Sequence, residues 1–277
     1  MLGDDEVAQC AEAFLTPMDS TMIPAISPQV GRPRELRRNR LLGRYLPVAL
    51  AVLCLAGATP GVAAAKPARV PAIASLAVLL SAHGVHMAPE ATSPQTRVLP
   101  PRTPITGEQT TLPVTGSLTA ADGVRWLQVM LPGRPNSSKG WITEHATRRV
   151  LTEWHIVVNL GARRIKVYRE GQVMRTLRAV VGKPSTPTPT GQFFVEETLR
   201  MSAGEPGGPF ALALSARSNA LQEFEGGPGQ IALHGRDNLG GTLGAAESHG
   251  CVRLATADID WLSTRIGPGT PVTIYGG

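Results

Sequence analysis

The chain has 277 residues, of which 42% are hydrophobic and 17% charged, and its formal net charge is +6 at pH 7. This length exceeds the roughly 100 to 200 residues of one average domain, so we expect two small domains and a targeting segment. The positive charge favours an anionic polymer or lipid headgroups as partner. The basic residues are scattered, which disfavours nucleic acid.

The first 65 residues predict a segment for export. Residues 32–65 combine an arginine-rich stretch, an apolar stretch at 48–55 and a small-residue end at 63–65, the order of zones in a secretory signal peptide. The alternative is an uncleaved membrane anchor, because an uncharged span of about 21 residues can cross a bilayer. Residues 1–31 are interpreted as an extension produced by a start codon placed too far upstream. We therefore expect a location in the periplasm or cell wall.

Cysteine usage agrees with export of a reactive thiol. Removal of the signal also removes Cys10 and Cys54, which leaves Cys251 as the only thiol of the mature chain. No internal disulfide can then form. An exported protein with one unpaired cysteine indicates a reactive or intermolecular role for it. The Gly, Ser and His neighbours of Cys251 argue against an inert core cysteine.

Residues 66–95 are rich in Ala, Pro and Ser and predict a linker. Its apolar part at 72–80 predicts at most one short helix. His83 and His86 lie in this segment, but two ligands on a flexible stretch make a poor metal site. We interpret both as solvated linker residues.

Residues 96–148 predict a small β-barrel, because short alternating segments are separated by Gly and Pro turns. We expect Trp126 and Trp141 to pack in its core. The pieces Trp-Leu-Gln-Val, Leu-Pro-Gly-Arg-Pro-Asn and Gly-Trp-Ile resemble a bacterial SH3-like domain. Such a module would serve either as a spacer or as a ligand-binding unit.

Residues 153–276 predict a second strand-rich domain. Apolar and β-branched alternation indicates strands at 156–158 and 167–173, with a turn at Gly171, and a last strand at 271–275. The fold class is all-β, a small SH3-like barrel followed by a β-sandwich with a short helical cap. Because the candidate chemical groups lie in this domain, we expect it to fold and react without the preceding region.

The helical cap is predicted at residues 254–266. Thr256 is the expected N-cap, and acidic residues follow in the first turn. Ile259, Leu262 and Ile266 fall on one face, which we expect to be buried.

The run from Ser248 to Arg253 is the most informative part of the chain, because it places a thiol next to a histidine in a glycine-rich loop, with His234 upstream. A thiol is mostly protonated at neutral pH and needs a base or a positive potential to become a nucleophile. The backbone N–H groups of Gly250 and Cys251 are candidates for holding a developing oxyanion. The pattern therefore predicts a cysteine nucleophile with a histidine base.

This pattern, His-Gly followed by Ser-His-Gly-Cys-Val-Arg-Leu, resembles the signature of the YkuD-type L,D-transpeptidases. The resemblance covers roughly residues 154–275 and includes Val-Val-Gly-Lys-Pro at 180–184 and Thr-Pro-Thr-Gly-Gln-Phe at 188–193. It implies an exported acyltransferase that cleaves the terminal D-residue of a peptidoglycan tetrapeptide stem. The acyl group would pass from a thioester to an amine of a neighbouring stem, giving a 3-to-3 cross-link. Carbapenems would act as inhibitors, and no cofactor is implied.

The resemblance also implies residue roles. Cys251 is the nucleophile and His234 the general base. The backbone carbonyl of Gly235 orients the imidazole, since this chain lacks the serine that some relatives carry there, and Gly250 supplies an oxyanion N–H. The residues assigned to substrate binding or to bracing the loop are Ser248, His249 and Arg253.

Three alternatives remain. With water as the acyl acceptor, the same site would be an L,D-carboxypeptidase. A zinc hydrolase would use His234, His249 and Cys251 as ligands. A non-catalytic cell-wall-binding protein would need only the SH3-like module and the basic charge. The extended resemblance favours transpeptidase chemistry and a site without metal.

Overall fold

The computed structural model describes residues 69–202, 204–223 and 226–276. This part of the chain is mostly β with one short α-helix. No helix within it is long and apolar enough to span a membrane. The predicted N-terminal extension and signal peptide lie outside the described residues.

The first sheet has seven strands, β1 (Ala74–Leu79), β2 (His83–His86), β3 (Gln95–Leu99), β4 (Thr111–Thr119), β5 (Arg125–Met130), β6 (Lys139–Thr143) and β7 (Thr147–Thr152). Their order in this N-terminal sheet is β3-β2-β6-β5-β4-β1-β7, and neighbouring strands are antiparallel. The sheet extends past both ends of the predicted barrel at 96–148.

The predicted linker at 66–95 is wrong for its central part, because β1 and β2 belong to this sheet. Ala77 and Leu79 are fully buried, and β1 lies between β4 and β7. The apolar stretch at 72–80 is thus a strand where we expected a helix, since tertiary packing outweighs the weak helix preference of alanine. His83 is buried rather than solvated, and its Nε2 lies 2.8 Å from the carbonyl oxygen of His145.

The two tryptophans of the N-terminal sheet differ in burial. Trp126 is buried, as predicted, and stacks edge-on against His86. Trp141 is only partly buried, because it alternates along β6 with Ile142, and Ile142 points into the core.

The second sheet has eight strands, β8 (Trp154–Asn159), β9 (Arg164–Arg169), β10 (Gln172–Arg178), β12 (Gly191–Arg200), β13 (Phe210–Arg217), β14 (Gln230–His234), β16 (Val252–Arg253) and β17 (Pro271–Tyr275). Their order in this C-terminal sheet is β10-β9-β8-β17-β12-β13-β14-β16. The pairs β8–β17 and β14–β16 are parallel. A separate parallel pair joins β11 (Val181–Gly182) and β15 (Ala246–Ser248).

The predicted strands and turn of this region are confirmed. Arg169 and Gln172 pair across a two-residue turn in which Glu170 and Gly171 both have positive φ, 51° and 74°. Two consecutive positive φ values are typical of the tight hairpin turn whose twist matches the flanking strands.

Helix α1 (Thr256–Ser263) is shorter than predicted. Its N-cap is Ala255, which makes no side-chain capping bond, so the prediction of Thr256 as N-cap is wrong. The Thr256 hydroxyl instead donates to Asp237 in the loop after β14. Ile259 and Leu262 of α1, with Ile266 beyond its end, are buried in the main core, as predicted.

The two faces of the C-terminal sheet carry side chains of different size. One face packs against α1 in the main core and receives the large residues of β13, which are Phe210, Leu212 and Leu214. The opposite face receives the small residues Ala211 and Ala213, and Ile105 of the N-terminal region packs on them. Small side chains permit this close approach. Phe194 of β12 completes the core of the N-terminal sheet.

Candidate active site

The structure places the predicted base and nucleophile on neighbouring strands. His234 is the last residue of β14, and Cys251 immediately precedes β16. Leu233 and Val252 are paired across these strands, and both lie in the main core. Side chains alternate along a strand, so His234 and Cys251 lie on the opposite face, on strands about 4.8 Å apart.

The His234 imidazole is buried and oriented by backbone. Its Nδ1 lies 2.6 Å from the carbonyl oxygen of Gly235, which can only accept, so Nδ1 carries the proton and Nε2 is the basic atom. Burial lowers the pKa of His234 to about 4. The bonds to backbone at Gly235 and Gly207 oppose this shift, and the Arg253 charge adds to it. The imidazole is therefore neutral at pH 7 and able to accept a proton.

Glycine is required at two positions around this ring. A Cβ on Gly235 would collide with the backbone oxygen of Gly208, so no side chain fits at this position. Gly207 has a φ of +84°, and a Cβ on it would lie 2.7 Å from His234 Nδ1. Both glycines let the main chain approach the imidazole closely enough to hold it.

The Cys251 thiol is partly buried and protonated at rest. Its Sγ lies 4.0 Å from the carbonyl oxygen of Gln230. Burial raises the pKa of Cys251, while a backbone hydrogen bond at Ala232 and the Arg253 charge act in the opposite direction. Among the described side chains, no hydrogen bond joins Sγ to His234. The resting pair is therefore a neutral thiol and a neutral imidazole.

The loop before Cys251 is tied internally through Ser248. Ser248 Oγ donates to the carbonyl oxygen of Cys251 at 2.5 Å and accepts the N–H of Gly250 at 3.2 Å. Gly250 has a φ of +129°, which explains the glycine. Its N–H donates to Ser248 Oγ, so its role in holding an oxyanion stays a prediction. The N–H of Cys251 is the second predicted donor.

Residues 182–188, which had no predicted role in the site, form hydrogen bonds that hold this loop from outside. Thr188 Oγ1 accepts the N–H of Gly182 at 2.9 Å and donates to the carbonyl oxygen of Gly250 at 2.7 Å. The Ser248 carbonyl oxygen accepts the N–H of Lys183 at 2.9 Å and the hydroxyl of Thr186 at 3.3 Å. The repeated Thr-Pro pattern at 185–190 is the sequence signal that could have indicated this role.

Two predicted substrate-binding residues have intramolecular partners. His249 Nε2 lies 3.2 Å from Lys183 Nζ. Arg253 is buried, and its Nη1 donates to the carbonyl oxygen of Gly240 at 2.8 Å. Its Nε has no hydrogen-bond partner among the described residues. Arg253 thus braces the loop after β14 and supplies positive potential to both the thiol and the imidazole.

The arrangement does not favour the zinc alternative. In the described ranges, no group of three or more His, Cys, Asp or Glu side chains is placed to hold a metal ion. Nδ1 of His234 is committed to Gly235, and Nε2 of His249 lies 3.2 Å from the Lys183 amine. The site contains the two groups needed for proton transfer, the Cys251 thiol and the His234 imidazole.

Comparison with known proteins identifies the C-terminal region. Residues 153–274 match the family model of the YkuD L,D-transpeptidase catalytic domain. The chain is 34% identical over 124 residues to a putative L,D-transpeptidase YkuD of Bacillus subtilis, covering 44% of this chain and 65% of that protein. It is 30% identical over 128 residues to L,D-transpeptidase 1 of Mycobacterium tuberculosis, covering 43% and 49%.

A solved structure is also similar, that of the LD transpeptidase LdtMt1 in complex with imipenem. It is 21% identical to this chain, covers 60% of this chain and 91% of that one, and has a TM-score of 0.37. The match spans less than two thirds of both curated relatives. The prediction of a YkuD-type L,D-transpeptidase catalytic domain is confirmed for residues 153–274.

Proposed function

We propose that the protein is an exported L,D-transpeptidase that forms a thioester on Cys251 from a peptidoglycan tetrapeptide stem. One observation carries the proposal. The His234–Gly235 hydrogen bond fixes the proton on Nδ1, which leaves Nε2 as a neutral base on the same face as Cys251. The match of residues 153–274 to the family model supports the substrate class.

The first half-reaction begins from the neutral pair. A change in the Cys251 rotamer turns Sγ away from the carbonyl oxygen of Gln230 and toward His234 Nε2, which takes the thiol proton as sulfur attacks the peptide carbonyl. The Cys251 N–H stabilises the oxyanion, and the Arg253 charge favours the thiolate. As the tetrahedral intermediate collapses, the C–N bond breaks. The protonated His234 returns its proton to the departing D-alanine amine, leaving a thioester.

The second half-reaction reverses the proton transfers. The side-chain amine of a neighbouring stem attacks the thioester carbonyl, His234 accepts its proton, and the Cys251 thiol departs protonated. The product is a 3-to-3 cross-link and the enzyme is restored. If water attacks instead, the product is a shortened stem and the activity is that of an L,D-carboxypeptidase.

β-Lactams fit the same chemistry. Their strained carbonyl is an acyl donor for the thiol that attacks the stem, and ring opening keeps the leaving amine attached, so the adduct persists. We propose carbapenems as covalent inhibitors. We also propose that residues 32–65 direct export to the periplasm or cell wall and that the N-terminal sheet is an SH3-like module.

Intact-protein mass spectrometry with a carbapenem tests the nucleophile. We expect one adduct per chain, and Cys251→Ala should abolish it. His234→Ala should slow acylation by about 10²-fold to 10⁴-fold, the contribution of a general base. This defect should shrink above the ordinary thiol pKa of about 8.5, because burial raises the pKa of Cys251 and thiolate forms unaided only at higher pH. His145→Ala, at an exposed histidine, is the matched control.

Incubation with purified tetrapeptide stems tests the reaction itself. Dimeric stems and free D-alanine support transpeptidation, whereas shortened stems alone indicate the carboxypeptidase. An adduct mapped to Ser248 would contradict the assignment of Cys251. A wild-type chain that stays unmodified and releases no D-alanine would leave only the non-catalytic wall-binding function.

A further inference from the structure

A cavity lies away from the thiol, on the face of the C-terminal sheet opposite its main core. Strands β8, β9 and β17 enclose a volume of about 480 Å³ together with the chain at Arg69 and Val70. The residues that matter for its chemistry are Val157, Asn159, Arg164, Lys166, Tyr168 and Tyr275. We call this cavity the tyrosine groove.

The strand register makes these side chains converge. Asn159 is paired with Arg164 on one side and with Tyr275 on the other, so the three form one row across the sheet. Val157 and Lys166 form the next row. Lys166 follows Arg164 at the two-residue spacing that places side chains on the same face.

The polar groups of the tyrosine groove have no partner within the described protein. Tyr275 is only 8% exposed, and neither its hydroxyl nor that of Tyr168 makes a hydrogen bond to another described residue. Burial, and then proximity to Tyr275, raises the pKa of Tyr168, so its hydroxyl is a proton donor at neutral pH. Both hydroxyls are open to the cavity, so a ligand from outside can form hydrogen bonds with them.

The cations of the groove are also unpaired, unlike their neighbours. On the same hairpin, Arg169 pairs with Glu153 and Arg175 lies 3.6 Å from Asp258. Arg164 and Lys166 form no ion pair with any described residue, and no Asp or Glu lines the groove. Arg164 and Lys166 therefore place two unpaired positive charges at the edge of the cavity.

We propose that the tyrosine groove binds an anionic oxygen group, carboxylate or phosphate, carried on a sugar-sized unit of a wall polymer. Arg164 and Lys166 would supply charge-assisted hydrogen bonds, and the two tyrosine hydroxyls and Asn159 neutral ones. Val157 and the tyrosine rings would contact the apolar face of the unit. Four strand spacings, about 19 Å, separate β8 from β14, so this site is distinct from the thiol.

Titration calorimetry on the full chain tests the proposal with two probes, polyglycerol phosphate and polygalacturonate. Binding of one polymer and not the other identifies the anion source, and binding that the groove variants weaken more than the control variant supports the groove. The double variant Arg164→Gln/Lys166→Gln should weaken binding by about tenfold or more, because two charge-assisted bonds are lost. Tyr275→Phe should weaken it severalfold and leave the unfolding midpoint unchanged.

The control is Arg148→Gln/Arg200→Gln, which removes the same charge from two exposed arginines outside the groove. Equal weakening in both double variants would show that net charge alone binds the polymer and would overturn the site, as would the absence of binding by either polymer. Carbapenem acylation of the wild-type chain is measured in the same preparation. A chain that binds polymer but is not acylated would contradict the proposed function and leave the groove intact.

Discussion

The main core beneath the C-terminal sheet consists only of residues from the C-terminal region, whereas the core of the N-terminal sheet includes one residue from the C-terminal region. Every residue of the main core comes from position 154 or later. The N-terminal core includes Phe194 of β12, which is 1% exposed. The two sheets therefore share one buried surface, and the N-terminal sheet is part of the structural unit that carries the site.

Polar contacts between the two regions are reciprocal. The fully buried carboxylate of Glu197 accepts the N–H groups of Ile105 and Thr106, the latter at 2.7 Å, and the Thr106 hydroxyl. In return, Glu108 of the N-terminal region accepts the N–H of Thr198 at 2.8 Å. Each region thus supplies a carboxylate that accepts hydrogen bonds from the other region.

A second contact reaches the chain that leads to the active site. The guanidinium of Arg134, in the turn between β5 and β6, donates to the carbonyl oxygens of Ser218, Leu221 and Pro228. Gln230, whose carbonyl oxygen lies 4.0 Å from Cys251 Sγ, is two residues beyond Pro228. The N-terminal sheet therefore contacts the segment beside the thiol, and four experiments measure what the two regions contribute.

Phe194→Ala should have the largest effect, and only when both regions are present. In the full chain it should cost about 3–5 kcal/mol in unfolding free energy, because it leaves a cavity in the N-terminal core. In an isolated piece starting at residue 153, Phe194 lies on the exposed face, and the same change should cost less than about 0.5 kcal/mol. Urea denaturation measures both. Equal costs in the two proteins would mean that the regions do not share this core.

Lowering the pH should destabilise the C-terminal sheet, because this sheet contains the buried histidines His155 and His234. Burial lowers the pKa of His155 to about 4, and its Nε2 lies 2.9 Å from Thr273 Oγ1. Because the unfolded pKa is about 6.5, the unfolded chain binds the proton first as pH falls. The contribution of His155 is complete above pH 6.5 and declines by about 3 kcal/mol by pH 4.

His155→Gln checks this expectation, since glutamine is polar but does not titrate in this range. Unfolding free energies of both proteins between pH 7 and pH 4 should converge as pH falls. Parallel pH profiles would show that His155 is not the titrating group.

The two interface carboxylates should differ in importance. Glu197→Gln should destabilise the full chain by about 2 kcal/mol, because a buried acceptor of charge-assisted bonds is lost. Glu108→Gln should cost less than about 1 kcal/mol, because Glu108 is partly exposed and solvent screens its charge. Thermal and urea unfolding rank the two variants. The opposite ranking would mean that Glu197 does not dominate the contact.

Arg134→Ala should have the smallest effect on stability and a measurable effect on acylation. Losing the hydrogen bonds to Ser218, Leu221 and Pro228 loosens the chain at these three residues, and we expect carbapenem acylation of Cys251 to slow by about fivefold to tenfold, equivalent to about 1 kcal/mol. Arg148→Ala, at an exposed arginine of the same sheet, is the control. An unchanged acylation rate would show that the N-terminal turn does not position the site.

Local sequence signals were sufficient to predict some of the elements. Alternation predicted β8 and β17, and Gly171 predicted the hairpin turn, because burial of one sheet face and turn geometry impose a short-range pattern. The Gly, Ser and His neighbours of Cys251 predicted a reactive thiol for the same reason, because they adjoin it in the chain, whereas the role of His234 rested on the family resemblance.

Contacts between residues far apart in the chain became clear only in the folded protein. Residues 74–79 and 83–86 are strands, because pairing of β1 with β4 and β7, and of β2 with β3 and β6, outweighs composition. The fold also pairs the N–H of Gly250 with Ser248 and gives Thr188, Arg134 and Glu197 partners that lie 62 to 94 residues away. The physical reason is that such contacts depend on sheet register and on the approach of two faces, and neither leaves a periodic signal in the chain.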